Sequence, residues 1–379
     1  MIIYIVKEGD SVDTIARAFG VSVWTIIEVN QLTYPYPLAI GQSLLILTTP
    51  LEEYRTIFAN GFAYPFINLD ILDETLPFLS ELSVFSYGFS VDGQLIPPIL
   101  PIDDLLYHAF SYQTVPILTL TPFGPDGTFS NQLIHQMLSD DFNRDTLIQQ
   151  VYMEVVEKGF GGVNVDFEYI LAEDRDLFTE FVRLLTLQIA EIGGEVTVDL
   201  APKTSDEQQG LLYEGKDYKS LGQVADRVFV MTYEWGYTYG PPMAVAPLNK
   251  VRQVLDYAVS VIPKEKITMG IPNYGYDWAL PFVRGETKAR TIGNIEAVQL
   301  AVAYNATIQY DSTAQSPYFH YVVENTTHEV WFEDARSILE KYRLLQSYPI
   351  YGFGCWQIMR LFRPMWILTQ ADLNTIEII

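Results

Sequence analysis

Phe160-Gly-Gly-Val-Asn-Val-Asp-Phe-Glu168 is the stretch from which the rest of the chain can be read. Side chains alternate along a strand, so Asn164, Asp166 and Glu168 share one face while Val163, Val165 and Phe167 share the other. Three polar groups spaced about 6 to 7 Å apart on one strand face are costly in a closed core, unless that face lines a site where they find partners. The alternation alone equally fits a half-exposed antiparallel strand. The flanking segments decide. Upstream, Asn143 is a candidate cap for a helix whose Leu147, Ile148, Val151, Tyr152, Val155 and Val156 keep the 3.6-residue period, and Gly159 can end it. Downstream, Leu177, Phe178, Phe181, Val182, Leu184 and Leu185 form a second apolar face that stops at Gly193-Gly194, and Val196-Thr-Val-Asp-Leu-Ala-Pro202 reads as the next strand. Strand, helix and strand in this order predict a parallel sheet.

The same reading gives eight strands: residues 62–67, 84–89, 115–120, 162–168, 196–200, 227–233, 267–271 and 351–356. Eight β/α units in roughly 325 residues fit an α/β fold, the (β/α)8 TIM barrel, with one insertion. On that fold Glu168, at the C-terminal end of the fourth strand, stands on the face where active sites are built. Residues 278–335, between strands seven and eight, form the expected small α+β insertion, with Tyr318-Phe-His-Tyr-Val-Val323 and Glu329-Val-Trp-Phe332 as hairpin strands.

This layout, with Asn164-Val-Asp-Phe-Glu168 on strand four, Met231-Thr-Tyr-Glu234 on strand six and Trp356 closing strand eight, resembles glycoside hydrolase family 18 over residues 56–379. The family's strand-four signature, D-x-x-D-x-D-x-E, is matched at Asp166 and Glu168 and departed from at Gly161 and Asn164. Strand six carries Glu234 where chitinases carry Asp. Together with Gly240-Pro-Pro-Met-Ala-Val-Ala-Pro247, these departures resemble the spore cortex-lytic N-acetylglucosaminidases of the family more than its chitinases.

The resemblance implies a retaining hydrolysis in which the substrate's own 2-acetamido oxygen is the nucleophile, with no cofactor. Glu168 would be the general acid and later the base, which requires a raised pKa. Asp166 would accept a hydrogen bond from the acetamide N–H, and its proximity would disfavour ionisation of Glu168. Tyr233 would hydrogen-bond the acetamide oxygen and Trp356 would floor the sugar site. Asn164, Glu234, Asn273, Tyr276 and Trp235 are the remaining candidate substrate-binding residues.

Residues 1–48 read as a separate βααβ unit, with Ser11 and Ser22 as helix caps and Gly20 ending the first helix. The unit resembles a LysM module throughout, including Gly9-Asp-Ser11, Asn30 and Ile40-Gly-Gln-Ser-Leu-Leu-Ile46, which implies binding to N-acetylglucosamine-containing polymers. Residues 49–55 read as a linker, so the module is expected to be self-contained and separable, although about 45 residues give only a marginal core.

Composition sets bounds on partners. The formal charge of −24 opposes nucleic acid and anionic membranes. Ordinary peptidoglycan, which bears carboxylates, is also disfavoured somewhat, and spore cortex, rich in muramic lactam, less so. No apolar run reaches membrane-spanning length, and Met1–Lys7 carries no recognisable signal peptide and is needed by the first LysM strand. The four His show no ligand spacing, so no metal is expected. Spore or cell-wall association follows from the resemblance. A retaining β-N-acetylglucosaminidase of peptidoglycan is the expectation; a chitinase or endo-β-N-acetylglucosaminidase, and a non-catalytic glycan-binding lectin, are the alternatives, the last opposed by the presence of both Asp166 and Glu168.

Overall fold

The computed structural model describes residues 1–48, 57–123 and 129–379. Eight parallel strands close into a barrel: Phe58–Ala63, Glu81–Phe89, Val115–Leu120, Gly162–Val165, Glu195–Leu200, Arg227–Val230, Ile267–Pro272 and Gly352–Trp356. Closure is direct, since the first strand pairs with the second (Asn60 opposite Glu81) and with the eighth (Phe58 opposite Gly352).

The first strand lies about four residues upstream of its expected place. Asn60 and Gly61 interrupt its apolar pattern, yet both are explained by barrel packing. The Asn60 amide donates to Ser83 Oγ at 2.9 Å. A Cβ on Gly61 would come within 2.8 Å of Leu79 and 2.9 Å of Ile358, so only glycine lets those side chains close over the strand. The fourth strand is shorter than expected: its ladder ends at Val165, and Asp166 to Glu168 continue beyond it. The ladder of strand six likewise ends at Val230, leaving Met231 to Glu234 on the rim.

The helix before strand four spans Asp141–Lys158. Its cap is Asp140, not Asn143: the Asp140 carboxylate accepts from the N–H groups of Phe142 and Asn143 at 2.9 and 3.2 Å, which also complements the helix dipole. Gly159, at φ 75°, ends it in the left-handed conformation. The next helix, Arg175–Ala190, buries Phe178, Phe181, Val182 and Leu185 against the barrel. Phe167, fully buried, stacks between these helical rings and Phe89, with centroids 5.3 to 5.7 Å apart. That anchor faces one side of the segment, so its neighbours Asp166 and Glu168 turn to the other.

The insertion is a five-stranded antiparallel sheet in the order Arg290–Ile292, Gly275–Ala279, Thr326–Trp331, Ser316–Val323, Gln309–Asp311, backed by the helix Asn294–Ala303. It begins at Gly275, three residues before the expected boundary.

The N-terminal unit has the expected order, with strands Ile2–Ile5 and Ser43–Ile46 around helices Val12–Phe19 and Val23–Val29. It shares its sheet and its buried side chains with the rest of the chain. Its sheet takes a third strand, Glu377–Ile378, from the end of the chain, parallel to Ile2–Ile5. Ile3, Val29 and Leu45 belong to the same buried cluster as the barrel. The Gln31 side chain donates to Leu361 O at 3.1 Å and accepts from Arg363 N–H at 2.8 Å. Gly41, at φ 82°, approaches the insertion so closely that a Cβ would meet Ile308 O at 1.9 Å. The expected linker, residues 49–55, lies outside the described residues. No described helix is long and apolar enough to cross a membrane.

Candidate active site

Strand ends converge on a cavity of about 660 Å³ at the C-terminal face of the barrel. Its walls are aromatic and its floor acidic. Trp356, ending strand eight, meets Phe85 edge-on at 4.9 Å, with Phe62 and Tyr64 at 5.7 and 6.1 Å. Tyr169, Tyr213 and Tyr237 line it further out. Flat ring faces of this kind suit the C–H-rich side of a sugar.

Asp166 and Glu168 both line the cavity. Asp166 is buried and held by its own N–H, which donates to Leu120 O at 2.9 Å; its Oδ1 has no partner among the described residues. Glu168 is only half-buried, so its carboxyl can reach a ligand. Burial, then the neighbouring Glu168, push the Asp166 carboxyl up to about 7, against the pull of Lys216. Burial raises Glu168 as well, again against Lys216. Two acids so placed titrate as a pair, ionisation of one opposing ionisation of the other. A donor such as an amide N–H arriving at Asp166 favours the charged form there and leaves the proton on Glu168.

Tyr233 is buried and lines the cavity beside these acids. Its ring sits where a Cβ on Gly270 would be, 2.7 Å away, so glycine on strand seven makes room for it. Burial, then the nearby Asp199, Asp166 and Glu168, push its hydroxyl well up, so it stays a neutral donor. Glu234 also lines the cavity, at φ 67°, an uncommon conformation for a non-glycine residue. Its Oε1 accepts from the hydroxyls of Tyr274 and Tyr276, the latter at 2.9 Å. Although the Glu234 side chain faces the open cavity, desolvation still raises its carboxyl above the usual range, outweighing the two phenol donors.

Four expected binding residues stand elsewhere. Tyr276 does not line the cavity; it fixes Glu234. Asn164 lies behind Asp166, donating its amide to Asp199 Oδ1 at 2.5 Å. Asn273 is buried with its amide committed to the carbonyls of Gln357 and Arg360 at 3.2 and 2.7 Å, and its oxygen accepts from Asn294 at 3.1 Å. It has nothing left to offer a sugar. Trp235 turns away: its N–H donates to Val245 O at 3.1 Å and its ring packs on the barrel core.

Two groups at the site escaped the sequence reading. Asp199, on strand five, is buried at the cavity wall. Its alternation with Thr197 was the available signal. Lys216, in the loop that follows, is 2 % exposed and donates from Nζ to the Asp199 carbonyl at 2.7 Å; no periodicity marks it.

Residues 124–360 match the family model described as glycosyl hydrolases family 18, and residues 4–47 match the LysM domain. The chain is 36 % identical over 430 aligned residues to the cortical fragment-lytic enzyme of Bacillus subtilis (strain 168), covering 100 % of this chain and 99 % of the relative. It is 32 % identical over 421 residues to the putative sporulation-specific glycosylase YdhD of the same organism, covering 98 % of each. Among solved structures, the spore cortex-lytic enzyme SleL of Bacillus megaterium QM B1551 superposes with a TM-score of 0.91 at 32 % identity, covering 100 % of this chain and 98 % of that one.

Proposed function

The chain belongs to glycoside hydrolase family 18, and from that premise we propose that it cleaves peptidoglycan of the spore cortex as a retaining β-N-acetylglucosaminidase, with the substrate's acetamide as nucleophile. The LysM match and the family together make an N-acetylglucosamine-containing glycan its ligand. Cortex as the polymer is supported by the relatives named for cortical fragments and by the SleL likeness over the whole chain. Association with the spore or its wall follows from that substrate.

The observation that carries the mechanism is the Asp166–Glu168 pair. A protein nucleophile would require a second free carboxyl across the sugar from the acid. Here the nearest carboxyl to Glu168 in the chain, Asp166, arrives on the same face, is buried, and keeps an unpartnered oxygen suited to orient an N–H. Glu234, which also lines the cavity, is tied to two phenols. In the sequence of events, Asp166 draws the acetamide into line, Tyr233 donates to its oxygen, Glu168 protonates the leaving oxygen, and the Glu168 carboxylate then takes a proton from the water that opens the cyclic intermediate.

Digestion of purified cortex and of chitin oligomers, followed by product mass and by NMR of the first anomer, tests this reading. Cortex cleavage with retention of the β-anomer, inhibition by a thiazoline, and loss of cleavage when the acetamide in the reacting sugar is deacetylated are expected. Glu168→Gln should keep the fold and lose about 10² to 10⁴ in rate. An inverted first product, or brisk cleavage at glucosamine, would overturn the mechanism; preference for chitin would overturn the substrate.

A further inference from the structure

Around the acids lies a set of groups that the mechanism above does not use. Strand four supplies a neutral amide, Asn164, next to Asp166, and that amide is spent on Asp199 from the neighbouring strand. Asp199 thereby brings a third carboxyl to the array. Burying three acids together requires a counter-charge or retained protons. The counter-charge is Lys216, whose side chain is fully enclosed. Its Nζ is held by the main chain of Asp199 rather than by a carboxylate, so its charge is not consumed in one ion pair and acts on the whole array. Gly215 makes this approach possible, since a Cβ there would meet Ile170 O at 2.3 Å. Lys203 reaches the same loop, donating to Lys216 O at 3.1 Å, but its charge is paired with Asp206 at 3.1 Å.

We propose that Lys216 is a positioning residue: held by the Asp199 carbonyl, its buried charge sets the pH window of the Asp166–Glu168 pair by opposing a second proton. The proposal rests on the assignment of Glu168 and Asp166 made above. The other titratable groups that line the cavity with the array are Tyr64 after strand one, Tyr169 after Glu168, Tyr213 in the loop after strand five, and Tyr233, Glu234 and Tyr237 after strand six, none of them a cation. Lys216 is thus the cation among the described residues that acts on the acids: it lowers Asp166, Glu168 and Asp199, while its own ammonium is lowered, first by burial. Asp199 is itself pushed well up, first by burial and then by Asp166.

In Lys216→Met both limbs of the kcat/KM profile, on soluble cortex-derived oligosaccharides, should move to higher pH by about one unit or more. At the pH where the wild-type acid limb is half-maximal, the rate should fall about fivefold or more. In Lys216→Gln, which keeps a donor for the Asp199 carbonyl but no charge, the limbs should move the same way. A folded Lys216→Met protein, judged by circular dichroism and melting, whose rate drops with both limbs in place has lost only packing, and that result overturns the proposal. If Lys216→Met does not fold, Lys216→Gln decides: limbs shifted to higher pH support the proposal, and unshifted or acid-shifted limbs overturn it. Glu168→Gln is the control. Should it remain active, the assignment of the acid has failed; should it be inactive while both profiles stay unshifted, the charge balance has failed.

Discussion

At the scale of single residues, the site trades stability for reactivity. Asp166 is raised from 3.8 to about 7 in the folded chain, so folding favours its protonated form. Its ionisation costs nothing below the unfolded value; the cost grows as pH rises from about 4 to 7 and is complete above. Asp166→Asn removes that cost. Each unit is worth about 1.4 kcal/mol, so the variant should gain on the order of 2–4 kcal/mol over the wild type at pH 8 and close to nothing at pH 4, while losing most activity. Denaturant unfolding at the two pH values checks it; an equal difference at both would show that shape rather than charge is responsible. The same residue marks how far sequence could go. Alternation along 160–168 placed Asp166 and Glu168 on one face, because the strand's period holds through the rim where Phe167 is anchored. It assigned Asn164 to the substrate and could not see that its amide is taken by Asp199, thirty-five residues on.

Secondary elements explain which parts of the site were readable. Strands rich in aliphatic residues, such as Val115–Leu120 and Ile267–Pro272, were placed within a residue, whereas Phe58–Ala63 was displaced because Asn60 and Gly61, side by side, satisfy neighbours and not a pattern. Beyond the strand ends, periodicity stops carrying information. Asn273 and Tyr276 were both read as sugar contacts, yet the turn after strand seven sends Asn273 to the carbonyls of the eighth-strand loop and the insertion's strand Gly275–Ala279 points Tyr276 at Glu234. The insertion thus acts on the cavity through the Tyr276 phenol, which with Tyr274 of the preceding turn holds the Glu234 carboxylate. Tyr276→Phe removes one of the two donors that orient Glu234 and should lower kcat/KM about tenfold, while the lost hydrogen bond to a charged group costs about 1.5–3 kcal/mol of stability. Unchanged kinetics would show that Glu234 needs no fixed orientation for cleavage.

Across the whole molecule, the ends of the chain meet. Ile2–Ile5 pairs with Ser43–Ile46 on one side and with Glu377–Ile378 on the other, through Ile5 N–H to Ile379 O at 2.8 Å and Ile379 N–H to Ile3 O at 3.0 Å. The LysM module therefore completes its sheet with the last residues of the hydrolase. It also donates Ile3, Val29 and Leu45 to the barrel's buried cluster and Ala39 to that of the insertion. A core of about 45 residues is marginal alone, and this sharing is the physical remedy. Polymer held by the module consequently stands in a fixed relation to the cavity. Deleting residues 1–48 should then do more than remove a binding unit. Re-exposing several side chains worth about 1.5–3 kcal/mol each should lower the melting temperature by roughly 10 °C or more, with weaker retention on insoluble cortex. If the truncated barrel melts where the full chain does and only the retention falls, the module is a tethered passenger and the shared sheet contributes nothing to holding the enzyme together.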